Sequence, residues 1–162
     1  MPVDSAEFKS ALSHWGSGVT VITARDEAGA PVGLTASSFS SLSLDPPLVL
    51  FCLGLDSTNV IAFQAAREFA VHILAADQQA LSNRFASRGG DKFAGQEHAA
   101  GRLGTPVLPG CLAVLECRMH QQVPVGDHII VVGSVEHVTV RDGDPLIYFR
   151  GGYRQVAGGG QG

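Results

Sequence analysis

Residues 33–53 read GLTASSFSSLSLDPPLVLFCL, and the two halves of this stretch carry different signals. Upstream, Gly18 to Ala24 (GVTVITA) is β-branched and runs into turn residues at Asp26 to Gly29, so Val32 to Phe39 returns as its hairpin partner. Pro46 and Pro47 break the chain. Leu48 to Leu53 is then a short unbroken apolar run, which predicts a strand buried on both faces. Further strands follow at Glu68 to Leu74, Cys111 to Gln122 and His128 to Val140, and a last one at Leu146 to Arg150 after the turn at Asp142 to Pro145.

Three short helices interrupt this series. Asp4 with Glu7 caps the first, whose Phe8, Ala11, Leu12 and Trp15 form an apolar stripe ended by Gly16 and Gly18. Ser57 or Thr58 caps the second, which runs to Ala66. Asp77 caps the third, carrying Leu81 and Phe85. From Arg88 to Pro109 the pattern dissolves into a long loop, a length that in a small domain points to function or mobility. Mostly hairpin-connected strands with a few short helices predict a mainly β fold, an antiparallel barrel with helices attached.

Composition narrows the function classes. The 162 residues include 20 glycines and 8 prolines but only 16% charged residues, which suits a turn-rich, well-buried sheet body and argues against disorder. A net charge of −4 offers no basic field for a nucleic-acid backbone. Cys52, Cys111 and Cys117 form no C-x-x-C and read as core thiols, and the six histidines show no metal-ligand spacing. The N-terminus lacks the pattern of a signal peptide, and the longest apolar run, Pro46 to Leu55, is too short to span a bilayer. The expectation is a cytoplasmic protein without nucleic-acid, membrane or metal partners, one domain over residues 1–162 with its core at about 8–153 and a Gly-rich tail at 157–162. P-loop, Rossmann, G-x-S-x-G and H-E-x-x-H signatures are missing as well.

What remains is the hydroxyl run. Six of the nine residues from Thr35 to Ser43 carry a hydroxyl, interleaved with Leu34, Ala36, Phe39 and Leu42. A serine-rich loop commonly bonds its own backbone. This one is too apolar for a solvated loop, and short hydroxyls beside free backbone N–H groups make a nest for an anion such as phosphate. Arg84 or Lys92 would supply the cation.

The run, together with Ser57-Thr58-Asn59, Asn83-Arg84-Phe85, Asp91 to Gly95, Gly126-Asp127-His128 and Tyr148 to Tyr153, resembles the flavin reductase-like family. These are FMN-binding split-barrel proteins that serve as reductase components of two-component flavin monooxygenases. The resemblance spans Phe8 to about Tyr153. It implies a homodimer of Greek-key split β-barrels, each binding FMN or FAD near the subunit interface, with FMN suiting a compact phosphate nest better. By similarity, Thr35, Ala36, Ser37, Ser38 and Phe39 contact the phosphate and ribityl chain. Cys52 and Leu53 lie along the ring system, with Ser57 and Thr58 further along the flavin. Asn83 and Arg84 are the phosphate-side residues, Tyr153 is an aromatic wall, and His128 meets the nicotinamide of NADH or NADPH. Phe8, Trp15 and Phe85 are core or dimer-interface residues. The implied activity is hydride transfer to a flavin that is then passed to a separate monooxygenase. Two other readings stay open: an enzyme that keeps FMN and reduces another acceptor, and a flavin-binding or electron-carrying protein without turnover.

Overall fold

The computed structural model describes residues 2–157, so the expected tail at 157–162 lies, but for Ala157, outside the described residues. The chain runs α1 (Ser5–Ser13), β1 (Ser17–Gly18), β2 (Thr20–Arg25), β3 (Pro31–Ala36), β4 (Ser40–Leu44), β5 (Pro47–Gly54), α2 (Val60–Ala65), β6 (Glu68–Ile73) and α3 (Gln79–Ala86). It continues with β7 (Ala99–Ala100), β8 (Pro106–Val107), β9 (Ala113–Val125), β10 (His128–Val140), β11 (Ile147–Phe149) and β12 (Gly152–Arg154). Seven strands make one antiparallel sheet in the order β3-β2-β6-β9-β10-β5-β4. Two smaller sheets, β1-β11-β12 and β7-β8, sit beside it.

Chain connectivity forces this sheet to curl. Its two edges are β3 and β4, joined by residues 37–39 alone. Edge to edge, a flat seven-stranded sheet would measure about 29 Å, at ~4.8 Å per strand spacing. From Ala36 to Ser40 the chain can reach no more than about 14 Å. The edges must therefore approach one another, and β3 and β4 do so without pairing, which leaves a slit in an otherwise continuous barrel. Hairpins β2-β3, β4-β5 and β9-β10 combine with long returns between non-neighbours, the Greek-key split barrel that the resemblance implied.

Inside the curl, Ile22, Phe51, Phe69, Val71, Ile129 and Val131 converge from four strands, and Phe63 of α2 plugs the end. Phe51 stands edge-on between Phe63 and Phe69, with ring centroids 5.9 and 5.5 Å away. A second apolar layer lies on the outer face of β2, β6 and β9. There Val21, Ala70, Leu74 and Val114 are covered by Phe85 of α3 and by Phe93 and Leu108 of the long loop. That loop is held by polar pegs from the sheet. Buried Glu116 accepts the N–H groups of Arg102 and Leu103 at 3.2 and 3.0 Å, and Thr23 donates to the Pro106 carbonyl.

Several expectations need correcting. β5 is not buried on both faces: Val49, Phe51 and Leu53 enter the core while Leu48, Leu50 and Cys52 are half-buried, because the outer apolar layer covers β2, β6 and β9 but not β5. Asn59, not Ser57 or Thr58, takes the N-cap position of the second helix, although the Ser57 hydroxyl accepts the Asn59 N–H. Asp77 does not cap the third; Gln78 takes the N-cap position and spends its side chain on the Ala75 N–H and the Pro109 carbonyl. Gly18 does not merely stop a helix but pairs with Ile147. Half of the hydroxyl run is itself a strand, β4. No helix among the described residues is long and apolar enough to cross a membrane.

Candidate active site

At the slit, β3 and β5 present their ends to α3 and the loop behind it, and a cleft of roughly 390 Å³ opens between them. Thr35, Ala36, Ser37 and Ser38 line one wall; Cys52, Leu53, Gly54, Ser57 and Thr58 line another. His128, Arg88 and Lys92 border the same space. Asn83 and Tyr153 line an adjoining hollow, which shares Thr35, Ser37 and Ala86 with the cleft. Phe39 packs partly against the barrel core and borders a further hollow next to Ser37. Arg84 is not brought to the cleft: its guanidinium donates to the Lys92 and Ala94 carbonyls at 3.2 and 3.0 Å, bracing the loop that carries Lys92.

Not every hydroxyl faces a ligand. Thr35 donates to the Ser82 carbonyl at 2.7 Å, joining β3 to α3. Ser38 accepts the Cys52 N–H at 2.9 Å and donates to the Cys52 carbonyl, so a side chain continues the β4-β5 ladder past its backbone end. Ser37 and Thr58 are exposed at the cleft. Backbone groups add to them. The Gly33 carbonyl points off the open edge of β3, where it accepts from Asn59 Nδ2 and Lys92 Nζ, while the Ala36 carbonyl turns inward to Thr20. Strand alternation therefore puts the N–H and C=O of Thr35 on the open edge too, beside the cleft.

Charge is concentrated at the mouth. Arg88 Nη2 meets Asp56 Oδ2 at 2.8 Å. Lys92 donates to the Gly33 and Phe85 carbonyls at 3.2 and 2.9 Å, and partial burial holds its ammonium below the usual lysine pKa. His128 Nδ1 lies 2.7 Å from Asp127 Oδ1, and that hydrogen bond draws the Asp127 carboxyl below its ordinary pKa. In the neutral imidazole, Nδ1–H donating to the carboxylate makes Nε2 an acceptor. The N–H of Leu55 bonds the Asp127 carbonyl, tying the two turns so that His128 pairs across from Gly54. A Cβ on Gly54 would stand 2.8 Å from Asp56 Oδ1 and 3.7 Å from His128 Nε2, so glycine keeps the cleft floor bare between them.

Tyr153 anchors the neighbouring hollow. Its hydroxyl donates to Asn83 Oδ1 at 2.9 Å, which leaves the Ser82 hydroxyl, 2.7 Å away, as donor to Tyr153. Asp56, Asn59, Arg88 and Tyr148 also border these spaces and were not singled out as site residues from the sequence. Asn59 sat within a quoted block; Arg88 and Asp56 gave no local signal, since only folding brings the two loops together.

The model of the flavin reductase like domain matches residues 12–157. This chain belongs to that family. An FMN reductase (NADH) from Agrobacterium fabrum is 45% identical over 150 residues, covering 93% of this chain and 85% of that flavin reductase. The reductase subunit of a flavin-dependent monooxygenase from Rhodococcus jostii is 40% identical, covering 95% and 79%. Among solved structures, an NADH:FAD oxidoreductase from Streptomyces globisporus C-1027, in complex with NAD and FAD fragments, superposes with a TM-score of 0.89 at 34% identity, covering 95% and 93%. The donor set suits the flavin that this family's name implies. An open strand edge, exposed hydroxyls and two cations provide for a phosphorylated tail, and the bare backbone around Gly54 leaves room for a flat ring.

Proposed function

We propose that the protein is an NAD(P)H-dependent flavin reductase, taking FMN or FAD as a diffusible substrate and passing it, reduced, to a separate flavin-dependent monooxygenase. One observation carries the reading: a single cleft joins the Thr35–Ser38 edge, the Cys52–Gly54 backbone and the His128 imidazole. The family and its curated relatives support it. When bound, the flavin supplies a two-electron acceptor for the hydride of the reduced nicotinamide.

The protein's part is positioning, an effect worth up to ~7–11 kcal/mol when two reactants are held in line. The Thr35 backbone and the Ser37 hydroxyl hold the phosphorylated tail. Thr35 and Ser38 hydroxyls hold the wall itself. Cys52, Leu53, Ser57 and Thr58 border the ring, Phe39 backs the loop, and Asn83 and Tyr153 shape the hollow beside the tail. Arg84 contributes by fixing the Lys92 loop rather than by touching the phosphate. His128 offers Nε2 to the carboxamide N–H of the nicotinamide. No acid–base pair is called for. The cytoplasm, with its reduced nicotinamide pool, is the compartment this reading requires, and a homodimer is its assembly.

Purified protein is mixed with NADH or NADPH, and nicotinamide absorbance is followed with and without FMN, FAD or riboflavin. Oxidation that depends on added flavin is expected. Turnover by a tightly yellow protein that needs another acceptor, or no turnover with any flavin, overturns the proposal.

A further inference from the structure

The cations around the cleft differ in what already occupies them. Arg84 is spent on two loop carbonyls outside the cleft. Lys92 is half-buried and has two of its three N–H groups on carbonyls. Arg88 is held otherwise: its partner is the carboxylate of Asp56 on the facing loop, and the two side chains are 78% and 77% exposed. Exchanging such a pair for another partner costs little, at most about fivefold in an equilibrium constant. The backbone just beyond Arg88 is uncrowded: Gly89 and Gly90 have φ of +82° and +74°, and a Cβ on either would meet nothing within 4 Å. Asp56, for its part, reaches into the cleft, its Oδ1 lying over Gly54 on the floor shared with His128.

We infer that Arg88 selects phosphate-bearing ligands, and that Asp56 is an internal counter-ion which the incoming phosphate displaces. The inference rests on the flavin-reductase reading of the cleft and adds its specificity. A phosphate presents several charged oxygens to the guanidinium fork, where Asp56 offers one contact in open water. Once displaced, the Asp56 carboxylate repels the same anion, so it sets how tightly phosphorylated ligands are held. The phosphate has two sources, the flavin tail or the dinucleotide of the hydride donor.

The experiment uses two variants, Arg88→Gln and Asp56→Asn, both at exposed positions. Kd is measured for FMN and riboflavin, and KM for NADH and for N-benzyl-dihydronicotinamide, which has no phosphate. Arg88→Gln should weaken FMN about five- to tenfold and leave riboflavin unchanged, whereas Asp56→Asn should tighten FMN by up to about fivefold. If the same opposed shifts appear in the NADH KM and not in FMN binding, the inference holds with the dinucleotide as the source. Equal shifts for phosphate-bearing and phosphate-free partners, or no shift in either pair, overturn it. Riboflavin binding by the unaltered protein tests the cleft reading separately, because riboflavin needs no Arg88.

Discussion

His72 is fully buried between the outer sheet face and the long loop, where Nδ1–H donates to the Val21 carbonyl and Nε2 accepts the Leu108 N–H at 3.1 Å. Burial drives its pKa from 6.5 down to about 4, against the smaller upward pulls of the Val21 carbonyl and Glu116. The unfolded chain therefore takes up a proton that the folded one refuses between these two values. Stability from this group is complete above pH 6.5, falls as acid is added, and is lost by about pH 4, a total near 3 kcal/mol. His72→Gln can keep both hydrogen bonds without titrating. Its urea-unfolding free energy should show a shallower decline between pH 6.5 and 4; a decline as steep as that of the unaltered protein would acquit His72. The same physics raises the two core thiols: burial pushes Cys111 up, and burial with two nearby glutamates pushes Cys117 up to about 12. His128 is the opposite case, exposed and aimed by Asp127. His128→Ala should raise the KM for the nicotinamide donor about tenfold while leaving the flavin Kd unchanged, as steady-state kinetics beside a flavin titration would read.

Among elements, β10 carries the most constraint. It pairs with both β9 and β5, and its register against β9 shifts at Gly133. A Cβ there would stand 2.4 Å from Phe69 Cζ and 2.9 Å from the Cys117 Cβ, so Gly133 is small because two core side chains need its space. Gly133→Ala should lose about 1–3 kcal/mol of stability through overpacking, read as a lower urea midpoint with unchanged slope. Strands of this kind were legible in the sequence: His128 to Val140 ends where its alternation does, and Glu68 to Leu74 overruns by a single residue. Their signal is local, written in β-branched residues and turns. The short elements β4, β7 and β12 were not legible, because short segments of serine, alanine or glycine become strands only when a neighbour offers a ladder. The site divides the same way. Ser37, Cys52 and His128 lay in recognisable blocks, while Arg88 with Asp56 needs loops 32 residues apart to meet, a fact of tertiary closure.

At the scale of the molecule, α1 is the element without a reason to be folded. Its nine residues bury none of their side chains, although Asp4 caps it through the Ala6 N–H. Phe8 and Leu12 are 53% and 55% exposed, and Trp15 beyond them 79%. A helix this short is marginal in water unless an apolar face packs on something. The barrel does not supply that cover, so the stripe that the sequence shows at Phe8, Leu12 and Trp15 fits the covering partner of the proposed homodimer. Leu12→Glu removes nothing from the barrel core and sets a charge in the middle of the stripe. Sedimentation should then show the variant as a monomer where the unaltered chain is a dimer, with the urea midpoint of the barrel shifted only slightly. Amide exchange should speed up at residues 5–13 and nowhere in β2, β6 or β9. A variant that sediments as the unaltered chain does would assign the contact between copies to another surface and leave α1 a helix held by its cap and by the Arg150 N–H on the Ser13 carbonyl.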